Sequence, residues 1–178
     1  MRPPRVALSL ILSLLGCASG LLAQLPEDAA EKRLAQQRQC RAWLRSALDF
    51  RQQGKPADAL LVLDSVLLCD AKNPDAYYLR SRLLIENGDT TGAITALRLG
   101  AAEAPLSTRL KLFLARLLIA RSDFSEAASL VDAVLRIKPH EGEALYLRGV
   151  LDLKSGNEAA ALDHLELALK YGLESHAR

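Results

Sequence analysis

Aromatic residues are scarce in this chain, at 4% of 178 positions. β-branched residues are also sparse, and no segment alternates apolar and polar side chains with period two, so a sheet is not expected. Charge of one sign is missing as well. The formal net charge is +2, and two of the basic residues, Arg2 and Arg5, precede the first acidic residue, Glu27. Without those two arginines, acidic and basic residues balance. A balanced chain lacks the basic excess that general nucleic-acid binding requires. Phosphate-cradling glycine loops, serine elbows and cysteine–histidine nucleophile patterns are absent, and His140, His164 and His176 are scattered without metal-ligand spacing. The sequence therefore reads as a non-enzyme with no cofactor and no metal.

Leucine and alanine dominate what remains, and both lose little side-chain freedom in a helix. Residues 1–23 stand apart. Arg2 and Arg5 lead an uncharged apolar run from Val6 to Leu15, followed by the small residues Gly16 to Gly20. That is the layout of an export signal. Three fates are open. Cleavage can fall after Ala18, Gly20 or Ala23. Leu14-Leu15-Gly16-Cys17 resembles a bacterial lipobox, which would make Cys17 a lipidated N-terminus, although Leu15 is unusual before the glycine. An uncleaved anchor from Val6 to Leu25 is long enough to span a bilayer but rich in Ser, Gly and Gln. The protein is thus expected outside the cytoplasm, periplasmic or secreted, with no direct membrane insertion once the signal is cleaved.

The rest of the chain is periodic. Gly54, Gly88, Ser122 and Gly156 lie 34 residues apart, as do Ala59, Ala93, Ala127 and Ala161, and Leu67, Ala101, Leu135 and Leu169. Helical spacing of apolar residues covers 40–53, 74–87, 108–121 and 142–155, and a second helix from about 57 to 70 recurs in every period. The glycine or serine supplies the left-handed turn between the two helices. Pro105 and Pro139 end second helices, and Gly172 is expected to stop the last. Residues 24–39 read as a lead-in helix or linker.

With each period counted from 40, 74, 108 and 142, Trp43, Phe50, Gly54 and Ala59 occupy positions four, eleven, fifteen and twenty of the first. Tyr77, Gly88, Ala93 and Pro105 recur in the second, Phe124, Ala127 and Pro139 in the third, and Gly149, Gly156, Ala161 and Ala168 in the fourth. This pattern resembles the tetratricopeptide repeat family. The resemblance implies an all-α, right-handed superhelical solenoid of antiparallel helix hairpins, with repeats 40–73, 74–107, 108–141 and 142–175. Arg80 and Ser81 at positions seven and eight, and Lys111 at position four, depart from the motif and suggest looser packing there.

In that family the first helices line a concave groove. The groove positions here carry Arg41, Leu44, Leu48, Arg51 and Gln52 in the first repeat and Asp75, Tyr78, Arg82, Ile85 and Glu86 in the second. The third gives Arg109, Leu112, Arg116, Ile119 and Ala120, and the fourth Glu143, Tyr146, Val150, Leu153 and Lys154. Guanidinium forks suit carboxylates, and the leucines and tyrosines suit apolar side chains. The expected ligand is a protein or peptide segment of acidic and apolar character, and Arg82, Arg109 and Arg116 form the densest charge cluster. For any one arginine the plainer reading is a solvated helix face. A shallow groove is a poor small-molecule site. The lysine and asparagine clamp of chaperone-binding relatives is absent.

Cys40 and Cys69 are the first and thirtieth residues of one repeat, so an antiparallel hairpin brings them near each other. A disulfide and two separate thiols are equally compatible with that spacing. An uncovered apolar stripe on the last helix would favour a homodimer or another partner contact at the C-terminal repeat.

Overall fold

The computed structural model describes the backbone of residues 6–176 and the side chains of residues 29–172. Eight helices follow one another: α1 (Val6–Gln52), α2 (Pro56–Cys69), α3 (Pro74–Glu86), α4 (Thr90–Glu103), α5 (Thr108–Ala120), α6 (Phe124–Ile137), α7 (Gly142–Lys154) and α8 (Glu158–His176). No strand occurs among the described residues. Each helix packs on the next, α5 also meets α3 and α7, and Arg51 of α1 pairs with Glu86 of α3, so the hairpins stack as a solenoid. The lead-in is no separate linker: residues 29–39 continue α1 without a break. Cys17 and the candidate cleavage points lie outside the described side chains. Among the described residues, no helix is long and apolar enough to cross a membrane.

The four intra-repeat turns are built alike. Gly54, Gly88, Ser122 and Gly156 all have positive φ, between 68° and 82°. The next amide closes each helix end by donating to the carbonyl five residues back: Lys55 to Phe50, Asp89 to Leu84, Asp123 to Leu118 and Asn157 to Asp152, at 2.8–2.9 Å. Only Ser122 enters this left-handed region with a Cβ, which costs about 1 kcal/mol relative to glycine. Ser122→Gly is therefore expected to stabilise the chain by about 0.5–1 kcal/mol. Thermal unfolding followed by circular dichroism would show a midpoint higher by a few degrees. An unchanged or lower midpoint would contradict the strain.

Ala59, Ala93, Ala127 and Ala161 are fully buried, because two helices cross at the ladder alanine. Asn73, Asp89 and Ser107 cap α3, α4 and α5 by accepting from the amides of Ala76, Gly92 and Leu110. The core forms two clusters. One joins Ala47, Leu63 and Val66 to Leu79 and Leu83; the other runs from Tyr77 through Leu97, Leu114 and Val131 to Leu151.

Two expectations are corrected. Packing is not loose around the motif departures. Ser81 is fully buried and donates its hydroxyl to the Tyr78 carbonyl at 2.8 Å, Arg80 pairs with Asp64, and the Lys111 amine donates to the Pro105 carbonyl at 2.5 Å. Nor does Gly172 stop α8, which continues to His176. The close approach there constrains Gly142 instead: a Cβ on Gly142 would lie 3.1 Å from the Gly172 nitrogen, where α7 and α8 touch backbone to backbone.

The fourth repeat breaks the apolar pattern at Asp152, where the ladder runs Phe50, Leu84, Leu118. Asp152 is 4% exposed, yet satisfied: the His164 ring sits 2.8 Å away and Arg148 3.2 Å away. Arg148 also binds Asp132 on α6, in the register that Arg80 and Asp64 occupy two repeats earlier.

Candidate functional site: the groove of the first helices

The first helices of successive repeats lie side by side, so residues at one repeat position form a row 34 residues apart. Seven predicted groove positions meet in one pocket of about 290 Å³: Leu44, Leu48 and Arg51 on α1, Asp75, Tyr78 and Arg82 on α3, and Arg109 at the start of α5. Leu79 completes the lining. It sits at position six, outside the positions carried over from the family, where the row Leu79, Phe113, Leu147 is apolar in three repeats.

The pocket has an aromatic centre. The Arg109 guanidinium lies 3.5 Å from the Tyr78 ring centre and Arg82 lies 5.9 Å from it. Phe113 packs on Tyr78 with ring centroids 5.3 Å apart, and Arg116 covers the Phe113 ring at 5.3 Å. Arg82, Arg109 and Arg116 therefore gather around one aromatic pair. Burial pushes the Tyr78 hydroxyl up, but the Arg109 and Arg82 guanidiniums beside it outweigh burial and hold it below the ordinary tyrosine value.

The groove acids belong to the same network. Arg51 grips Glu86 with two forked bonds, 2.7 Å from Nη2 and 3.1 Å from Nε, and Arg82 adds a contact at 3.6 Å. The Arg51 hydrogen bonds hold the Glu86 carboxyl below its usual range. Arg109 binds Asp75 at 2.9 Å, and Arg116 binds Glu143 at 3.2 Å. The Arg51–Glu86, Arg109–Asp75 and Arg116–Glu143 pairs each join one repeat to the next. Position two supplies part of the pattern with alternating signs along the groove: Arg41, Asp75, Arg109, Glu143.

The remaining predicted residues fall elsewhere. Leu112 is corrected: it is 4% exposed and belongs to the core cluster with Leu110, Leu114 and Ala115. Ile85 and Val150 are half-buried. Tyr146 occupies the same row as Leu112 but is 54% exposed. Arg41 lines a second recess of about 480 Å³ with Arg33, Gln36, Cys40, Cys69 and Asn73. There Cys40 and Cys69 face each other with sulfurs in contact and Cα atoms 6.0 Å apart, within the span of a disulfide. Among the described residues, no group of three or more histidine, cysteine, aspartate or glutamate side chains is arranged to hold a metal ion.

Comparison with known proteins agrees with this architecture. No curated protein is recognisably similar in sequence. Among solved structures, a crystal structure of MamA superposes with a TM-score of 0.66 at 19% identity, over 78% of this chain and 81% of that one. A MamA fragment from Desulfovibrio magneticus RS-1 gives 0.61 at 16% identity, over 76% of each chain. Pseudomonas aeruginosa pilF gives 0.66 at 17% identity, over 77% of this chain and 63% of that one. At such identities the likeness shows the fold alone. In sequence, two tetratricopeptide repeat profiles match residues 50–117 and 113–173, which together cover most of the chain. The fold is that of a scaffold whose repeats generally bind protein or peptide partners, and the chain belongs to the tetratricopeptide repeat family.

Proposed function

We propose that the protein is an exported adaptor that holds a protein or peptide segment of acidic and apolar character in the groove between α1, α3 and α5. The observation that carries this is the pocket itself: Leu44, Leu48 and Leu79 offer an apolar lining, and Arg51, Arg82 and Arg109 stand around it with Tyr78 between them. The intrachain ion pairs leave capacity for a ligand. A guanidinium has five N–H donors in a fixed fork, and Asp75 engages a single nitrogen of Arg109. A ligand carboxylate fits the remaining donors while its apolar neighbours cover Leu44 and Leu48. Export rests on the charge layout of residues 1–23. A membrane-tethered lipoprotein subunit of a cell-envelope assembly is the second reading, and the lipobox-like run ending at Cys17 favours it.

The test is capture of partners from a cell-envelope extract, repeated with Arg82, Arg109 and Arg116 changed to glutamate. Loss of partners is expected, with an affinity drop of tenfold or more, because the variant sets like charge against an acidic segment. Leu48→Glu is a second variant; the side chain is already 40% exposed, so the fold tolerates the change while the apolar contact is lost. Partners retained by both variants would sink the groove reading. The intact mass of the processed chain separates the two export readings: a diacylglyceryl addition at Cys17 means tethering, and a plain start at Gln24 means a free binder.

A further inference from the structure

Positive charge is unevenly answered along the chain. In the groove, Arg51, Arg82, Arg109 and Arg116 each face a carboxylate of this chain. The lead-in of α1 is different. Lys32, Arg33, Arg38, Arg41 and Arg45 follow one another with no acidic residue between them, and all are exposed. None of the five makes an ion pair with a described residue. Two recesses lie end to end along this helix. Leu44, Leu48 and Arg51 line the 290 Å³ pocket, and Arg33, Gln37 and Arg41 line the 480 Å³ recess, beside the start of α3. Those six residues step by three or four along α1, which keeps them on one face. From Arg33 to Arg51 that face is about 27 Å long at the helical rise. Arg38 and Arg45 line neither recess. Asp70 lines the second, but its carboxylate already accepts from the Lys72 amide at 3.1 Å and the Asn73 side chain at 3.3 Å.

We propose that the ligand segment runs along this face of α1, with apolar residues over Leu44 and Leu48 and an acidic stretch in the recess of Arg33 and Arg41. The inference rests on the adaptor reading and adds a direction to it: the acidic end lies toward the start of α1. Charge decides the place. A carboxylate over Arg82 or Arg116 competes with the acid already there, whereas one over Arg33 or Arg41 meets a guanidinium whose fork has no protein partner. The row at position two shows the same contrast. Arg109 takes Asp75, which leaves Arg41, one period before Asp75, without an acid. An anionic lipid surface is the rival occupant. A flat bilayer would engage exposed guanidiniums wherever they project, Arg38 and Arg45 included. A segment seated in the recesses touches the two that line them.

Fluorescence anisotropy with two labelled synthetic peptides tests this. Both have a leucine-rich half; the other half is glutamate-rich in one and glutamine-rich in its control. The processed chain is expected to bind the glutamate peptide about tenfold more tightly than the control. Arg33→Glu with Arg41→Glu should erase that preference. Arg38→Glu with Arg45→Glu should keep most of it at physiological salt, where exposed charges more than about 8 Å away are largely screened. Helix content and melting should stay unchanged in both double variants, because all four side chains are exposed and unpaired. A preference that survives Arg33→Glu with Arg41→Glu, or that falls equally in both double variants, overturns the placement. Binding to phosphatidylglycerol vesicles that both double variants weaken alike, with neither peptide bound, also overturns it and assigns the stripe to a membrane. Leu48→Glu keeps the two readings apart. Peptide binding that falls with Leu48→Glu but shows no preference for glutamate sinks the direction and leaves the groove standing. No binding of either peptide overturns the inference, while capture from the envelope extract still decides the groove itself.

Discussion

Gly100→Val should destabilise the protein by about 3 kcal/mol, near the upper end for overpacking a core. Gly100 lies on α4 in the row Val66, Gly100, Val134, Ala168, so valine is at home at two equivalent positions. The second repeat differs in what it places opposite. A Cβ on Gly100 would come within 2.6 Å of Tyr77 Cγ and 2.7 Å of Tyr77 Cβ. Tyr77 is 4% exposed, and the atoms in conflict are at the root of its side chain, so no rotation relieves the clash. The fourth repeat pairs Leu145 with Ala168 instead. Shrinking the tyrosine should therefore rescue the loss: Tyr77→Leu with Gly100→Val should be more stable than the sum of the two single changes by about 1–2 kcal/mol. Urea unfolding of the four proteins measures the coupling. Strict additivity would mean that the two positions do not share one volume.

Opening the Cys40–Cys69 link is the second large effect. The two cysteines are 29 residues apart, and a closed loop of that length corresponds to about 3–4 kcal/mol in the chain-entropy account. The link ties α1 to the end of α2 in the repeat that has a neighbour on one side only. The protein recovered from an oxidising compartment is expected to show no free thiol from this pair when denatured without reductant. Reduction, or Cys40→Ser with Cys69→Ser, should lower the unfolding midpoint by more than ten degrees. Two reactive thiols in the unreduced, denatured protein would remove the basis for this effect.

Most of the fold was legible because a solenoid repeats its instructions. Gly54, Gly88, Ser122 and Gly156 mark equivalent turns, and the alanine row marks equivalent helix crossings, so a single register assigns six of the eight helices to within about two residues, while α8 runs on past Gly172 to His176. The start of α1 was not legible in this way, since residues before Cys40 have no counterpart one period earlier. The groove was partly legible. Positions transferred from the first helices collected seven of the eight residues lining the pocket. The transfer failed at Leu112, which is buried in the core although Tyr78 and Tyr146 of the same row are not. The Tyr78–Phe113 pair was missed because Phe113 falls at position six. One ion pair across the groove, Arg109 with Asp75, was written in the alternating signs of Arg41, Asp75, Arg109 and Glu143, a pattern that becomes meaningful once neighbours are taken to be 34 residues apart rather than three or four.

In the proposed adaptor, those pairs would make the solenoid's curvature part of recognition. Arg51 with Glu86, Arg109 with Asp75, and Arg116 with Glu143 act as three clasps, one across each junction between hairpins. A guest carboxylate that draws Arg109 from Asp75 loosens the second clasp, whereas one that uses the spare donors leaves it shut. The scaffold can thus yield at one joint and hold at the other two, so its pitch would report which guest is aboard.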